Sequence, residues 1–185
     1  MNSIRKPAIR LFLVASLVAG CGGGGVSLPK VAAGTEVTSG VDIKSDSFSF
    51  PNFGSSGTPE IFGSADVVSM FGDSNEVCAS GTGATCALTA EAATWARMVN
   101  QARESGHCEG FAVMSAARFM QSATPKTDTL SNQGDVTHGI MRGFATQFEH
   151  SVQDETNKWA KKSVGEKVAA IGDALKQGKV EYVLG

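Results

Sequence analysis

The sequence predicts a mainly α-helical fold organised around a central helix that starts at Cys108, becoming α+β if the chain is the front portion of something longer. Three observations predict it. Apolar residues recur at helical spacing between Ala92 and Ala102, between Ile140 and Phe148, and between Val164 and Leu175. The stretch from Phe111 to Met120 is apolar on nearly every side, Arg118 being the main exception, which marks a helix for burial inside a domain. Composition suits a globular body, with 42% hydrophobic residues, 18% charged residues and a net charge of -2. That balance gives no electrostatic reason to expect nucleic acid as a partner.

At 185 residues the chain accommodates one ordinary domain and a short tail. Residues 1–21 read as an address. Arg5, Lys6 and Arg10 precede the apolar run Leu11–Val18, which is too short to span a bilayer as a mature helix and carries the flanks of an export signal. The ending Val18-Ala19-Gly20-Cys21 resembles a bacterial lipobox. That resemblance implies lipidation of Cys21 as the new amino terminus and anchoring to an envelope membrane, the outer membrane or the cell surface. The alternative is an ordinary secretory signal cleaved nearby.

Residues 22–45, opening on Gly22–Gly25, read as a flexible tether that cannot bury enough apolar surface to offset the entropy of ordering. Phe48, Phe50 and Phe53 then recur among Ser and Asn. This pattern fits either a short edge strand, limited by Pro51, or an aromatic clasp docking onto the domain. Gly54–Gly57 is a loop, and Ala65–Phe71 supports one or two helical turns ending at Gly72.

Export places the mature chain in an oxidising compartment, where its cysteines become informative. With Cys21 assigned to lipid, Cys78 and Cys86 bracket the flexible loop Ala79–Thr85 and form the favoured disulfide. Cys108 is then the odd thiol. Pairing of Cys108 with Cys78 or Cys86 stays open, because connectivity cannot be read from sequence.

Thr89 predicts an N-cap, with Glu91 in the first turn, where negative charge suits the helix dipole. Ala92, Trp95, Met98, Val99 and Ala102 share a face of this helix, which ends near Glu104–Gly106. The central helix runs from about Cys108 to Gln121, and Thr124-Pro125 breaks it. A third helix spans about Asp135 to Glu149, and a fourth about Ser163 to Gln177, with Gly178 as its stop. Val180–Leu184 alternates like the opening of a strand, which needs either the Phe48–Phe53 segment or further chain as its partner.

The segment Ser105-Gly106-His107-Cys108-Glu109-Gly110-Phe111 sets a lone thiol between glycines where a loop becomes a helix. The positive end of a helix dipole favours thiolate over thiol, and glycines let a substrate approach closely. The structural reading stands beside this one: a cysteine in an apolar helix is often a small buried hydrophobe. In the same way Gly106 and Gly110 serve equally as a helix boundary and a close-packing position.

This order of helix, Gly-bracketed cysteine, further helices and then a strand resembles the first half of a papain-like thiol hydrolase. More narrowly, Gly106–Val113 resembles exported bacterial proteins with a G-H-C-x-G-[MF]-[AS] signature, as do Phe71-Gly72-Asp73, Val77-Cys78 and Leu88–Glu91. The resemblance covers about residues 46–185. It implies Cys108 as nucleophile, forming a thioester, with its own N–H and a Gln side chain upstream binding the oxyanion. Gln101 is the nearest match, with Asn100 beside it, at a spacing one residue from the commonest pattern. Glu109 and Gly110 would shape the turn. The family's histidine and acidic residue would follow Gly185, so the chain is expected to lack full hydrolase activity on its own. Of its own histidines, His107 adjoins Cys108, where successive side chains at a helix start diverge, and His138 and His150, on or beside the third helix, read as surface or loop residues.

These observations predict an envelope lipoprotein with a cysteine-hydrolase-like domain, performing acyl transfer or amide hydrolysis on a protein or peptide. The alternative is a non-catalytic surface lipoprotein that binds a protein partner. No phosphate loop or zinc-ligand spacing calls for a cofactor or metal.

Overall fold

A computed structural model of the chain describes residues 39–177. The export signal, Cys21, most of the tether, Gly178 and the strand at 180–184 lie outside the described residues. Among the described residues, seven α-helices and one antiparallel hairpin are formed. The mainly α expectation therefore holds. The described residues divide into two units, residues 42–153 and a second that holds residues 39–41 and 154–177.

In the first unit, a helix already forms before the predicted end of the tether at residue 45. Helix α1 (Ile43–Asp46) is capped by Asp42, whose side chain accepts from Lys44 N. Asp46 is buried and accepts both Asp42 N, at 2.9 Å, and Lys126 Nζ, at 3.2 Å. The phenylalanine-rich segment that follows is a clasp and forms no strand. The rings of Phe48, Phe50 and Phe53 lie 5.3, 5.5 and 5.7 Å from that of Phe111, all edge-on. Helix α2 (Ser64–Phe71) ends at Gly72, as its left-handed φ of 79° requires.

Strands β1 (Cys78–Ser80) and β2 (Ala87–Leu88) pair antiparallel, and the Cys78–Cys86 disulfide closes the hairpin. The hairpin runs straight into α3 (Ala90–Ala102). Its N-cap Thr89 accepts Ala92 N at 3.2 Å and donates its hydroxyl to Glu76 O at 3.0 Å. Helix α4 is Cys108–Met120 and α5 is Asp135–Ala145.

The central buried helix is α5, which corrects the prediction for the Cys108 helix. Thr137, Gly139, Ile140, Met141, Gly143, Phe144 and Ala145 of α5 are buried, whereas Gly110 is the one buried residue of α4. The all-round apolarity of α4 misleads because Ala112, Ala116 and Ala117 supply much of it, and exposing a methyl group costs little. Helix α5 has neighbours on two sides. Against α4 the approach is backbone to backbone: a Cβ on Gly110 would stand 2.0 Å from Ile140 O. Its other side joins Val99 and Ala96 of α3, Val67 of α2 and Phe62 in one core, with Trp95 packed on it. The buried face of α3 is thus Ala96 and Val99 with Ala92 and Trp95; Met98, at 39% exposure, and Ala102 point outward, against expectation.

Helix α6 (His150–Ala160) carries the boundary between the units. Its sequence lacks an apolar stripe, and periodicity does not announce it. In the second unit, α7 (Val164–Lys176) starts with a capping box in which Ser163 Oγ accepts Glu166 N at 3.3 Å and Glu166 accepts Ser163 N at 2.8 Å. No helix among the described residues is long and apolar enough to cross a membrane.

Candidate functional site

Cys108 is a free thiol, exposed at the first residue of α4. The other two thiols of the described chain are bonded to each other, so the open question of connectivity closes on Cys78–Cys86. The turn ahead of Cys108 is built by glycine. Gly106 has φ 145°, which side-chain-bearing residues rarely adopt, and a Cβ there would also meet Asn52 Nδ2 at 2.6 Å.

His107 occupies the N-cap position of α4 but does not cap it. Its ring is fully buried, 4.6 Å from the Phe53 ring and 5.4 Å from that of Phe144. Its side chain diverges from the exposed Cys108, as neighbouring side chains at a helix start do. The carbonyl of Phe53 can only accept, so His107 Nδ1 carries the hydrogen and donates to it. The Arg103 guanidinium can only donate, so Nε2, 3.4 Å from Nη1, is the acceptor. The ring is therefore the neutral Nδ1–H tautomer. Burial holds its pKa below the ordinary imidazole value; the Phe53 hydrogen bond opposes that and the charge of Arg103 adds to it.

Arg103 is itself buried and shared among three partners. It donates to Asn100 Oδ1 at 2.9 Å, to Glu60 O at 2.7 Å and to His107. Burial lowers its pKa, against the attraction of Asp66. Asn100 completes the frame: its amide donates to Phe62 O at 2.8 Å and its oxygen accepts Phe62 N at 3.2 Å. Glu109, next to the thiol, has its carboxyl pushed above the ordinary range by burial.

Because the His107 side chain turns inward, no side chain caps α4. The other two 13-residue helices, α3 and α7, are capped by Thr89 and Ser163. The first turn of α4 leads with backbone N–H groups beside an exposed sulfur, an arrangement suited to an anion developing on a substrate.

Gln101 is exposed on α3 and lines a groove of about 450 Å³ with Ser55, Thr58, Ile61, Arg97 and Asn100; Cys108 does not border that groove. His138 is part of a charged cluster that the sequence did not disclose. Its Nδ1 lies 2.9 Å from Asp66 Oδ2 and its Nε2 lies 3.2 Å from Glu60 Oε2. Asp66 is buried, pairs with Arg142 at 2.9 Å and accepts Gly63 N at 3.1 Å. Both ring nitrogens of His107 and of His138 thus face partners other than Cys108. His150 is exposed at the first residue of α6.

Asn52 and Arg103 were missed as site-building residues, and Asn100 was noted only as the neighbour of Gln101. Only Asp66 carried a readable signal, an acid at the third position of a helix whose side chain reaches back to the preceding N–H. Among the described residues, no group of His, Cys, Asp and Glu side chains is arranged to hold a metal ion. In comparisons with known protein families, curated proteins and solved structures, the chain matches none.

Proposed function

We propose that this is an exported, lipid-anchored envelope protein whose first unit presents Cys108 as the nucleophile of a papain-like thiol hydrolase. The observation that carries the reading is the free, exposed thiol at the leading residue of an uncapped helix. In the reaction the Cys108 thiolate attacks the acyl carbon of a peptide or amide. A C–S bond forms and the carbonyl electrons move onto oxygen, where the Cys108 N–H stabilises the oxyanion. The C–N bond then breaks, the amine leaves with a proton from a general acid, and a thioester remains. Water attacks the thioester, forming C–O, breaking C–S and releasing the carboxylate. A thiolate of this kind needs an imidazole within hydrogen-bond reach. His107 and His138 are committed to other partners, so the imidazole comes from another source. Gln101 as oxyanion donor rests on the family resemblance alone. Lipidation at Cys21 rests on the sequence of the export segment and gives the protein its membrane partner.

The test is alkylation of folded protein, disulfide intact, by iodoacetamide at pH 7, followed site by site with mass spectrometry. Cys108 should react faster than a small free thiol under the same conditions, and Cys108→Ser should take up no label. Alkylation slower than the small thiol overturns the nucleophile reading. For the anchor, the full-length product should partition into detergent and lose that behaviour in Cys21→Ser.

A further inference from the structure

We infer that Asn52 is a positioning residue for the Cys108 turn, fixing where the thiol stands at the start of α4 by holding the main chain of His107. The inference deepens the reading of Cys108 as nucleophile and rests on it for its catalytic meaning. Asn52 Oδ1 accepts the His107 N–H at 2.8 Å. This N–H belongs to the N-cap residue of α4, whose own side chain is drawn into the core, so the side chain that orients the chain's entry into the helix comes from a distant loop. The fit is close on the other side as well, since Asn52 Nδ2 fills the space a Cβ on residue 106 would need.

The neighbours of Asn52 grip the same turn. Phe53 O accepts the His107 ring, and a Cβ on Gly54 would stand 2.0 Å from Glu104 O. Phe48, Phe50 and Phe53 surround Phe111, three residues beyond the thiol. Residues 48–54 therefore form a strap across the start of α4, and Asn52 is its hydrogen bond to the nucleophile's turn. Asn52 is exposed, so replacing it leaves the core intact. It acts through the backbone of its neighbour and takes no part in bond making.

The test uses the full chain with its disulfide intact, as wild type, Asn52→Ala and Asn52→Asp, the last keeping an acceptor oxygen. Three quantities are read: amide exchange at His107, the Cys108 alkylation rate between pH 6 and 9, and the urea unfolding midpoint. Asn52→Ala should speed exchange at His107 about fivefold and slow alkylation about threefold or more, the scale of one lost hydrogen bond. Asn52→Asp should restore exchange to within about twofold of wild type. Unchanged exchange in Asn52→Ala overturns the inference. So does faster exchange with unaltered alkylation, or failure of Asp to restore exchange. If wild-type Cys108 reacts no faster than a small thiol while Asn52→Ala still changes both readouts, the hydrolase reading fails and the positioning role stands.

Discussion

His107 is adjacent to the thiol in sequence and separated from it in role. A neutral ring held between a carbonyl on one side and a guanidinium on the other ties the strap to the end of α3, and both ring nitrogens are used in doing so. The depressed pKa has a consequence for stability. Well above the ordinary imidazole value of about 6.5 the native and unfolded states are both neutral there, and the contribution of His107 is complete. As pH falls below that value the unfolded chain takes up a proton that the native chain resists, so stability is lost toward the native pKa. His107→Ala should cost about 3 kcal/mol at pH 7.5, from the cavity and the stranded Phe53 carbonyl. The difference from wild type should shrink as pH is lowered from 7.5 to 5 in urea titrations. A difference that grows on acidification would show that the native ring accepts the proton readily. None of this was legible beforehand. A histidine beside a cysteine invites a catalytic reading, and what fixes its role is a carbonyl 54 positions earlier in the chain.

Helix ends were the most readable level. Thr89, Gly72 and the start at Ser163 all act locally, so spacing and cap chemistry suffice to place them. Which helix lies at the centre depends on neighbours. Helix α5 takes that place because Gly110, Gly139 and Gly143 let α4 come close, with a Cβ on Gly139 falling 2.7 Å from Met114 Cε. Gly110→Ala should therefore destabilise by about 2–3 kcal/mol, since the atom in the way is a main-chain oxygen that cannot turn aside. Gly165→Ala, on the open side of α7, meets nothing and should raise stability by up to about 1 kcal/mol through helix propensity. Unfolding midpoints of the two variants, moving in opposite directions, check the assignment. Helix α6 escaped notice for the reason α4 misled: hydrophobic periodicity reports apolar atoms, and α6 has few. Its Lys158–Glu155 pair, 2.8 Å apart and exposed, adds little.

At the scale of the whole molecule, the Cys78–Cys86 pairing was read correctly, because the flexible loop between the two cysteines suits closure of a small ring. The Cys78–Cys86 loop does more than close a hairpin. It holds Val77 O to accept Thr89 N at 2.9 Å and Glu76 O to accept the Thr89 hydroxyl, and Thr89 starts α3. Replacing both cysteines by alanine should cost about 2.5 kcal/mol on chain-entropy grounds for a loop of this length. The loss should appear with accelerated amide exchange in the first turn of α3. Urea unfolding of oxidised wild type against Cys78→Ala/Cys86→Ala measures the first quantity, and equal midpoints would contradict it.

The meeting of α4 and α5 through glycines has one more implication. Side chains between helices act as a soft lining that lets one rod glide over its neighbour, and here bare main chains touch. Any displacement of the sulfur-bearing end on acylation would be handed on to α5 as rigid-body movement, so resonances of Ile140 and Phe144 would register an adduct they never contact.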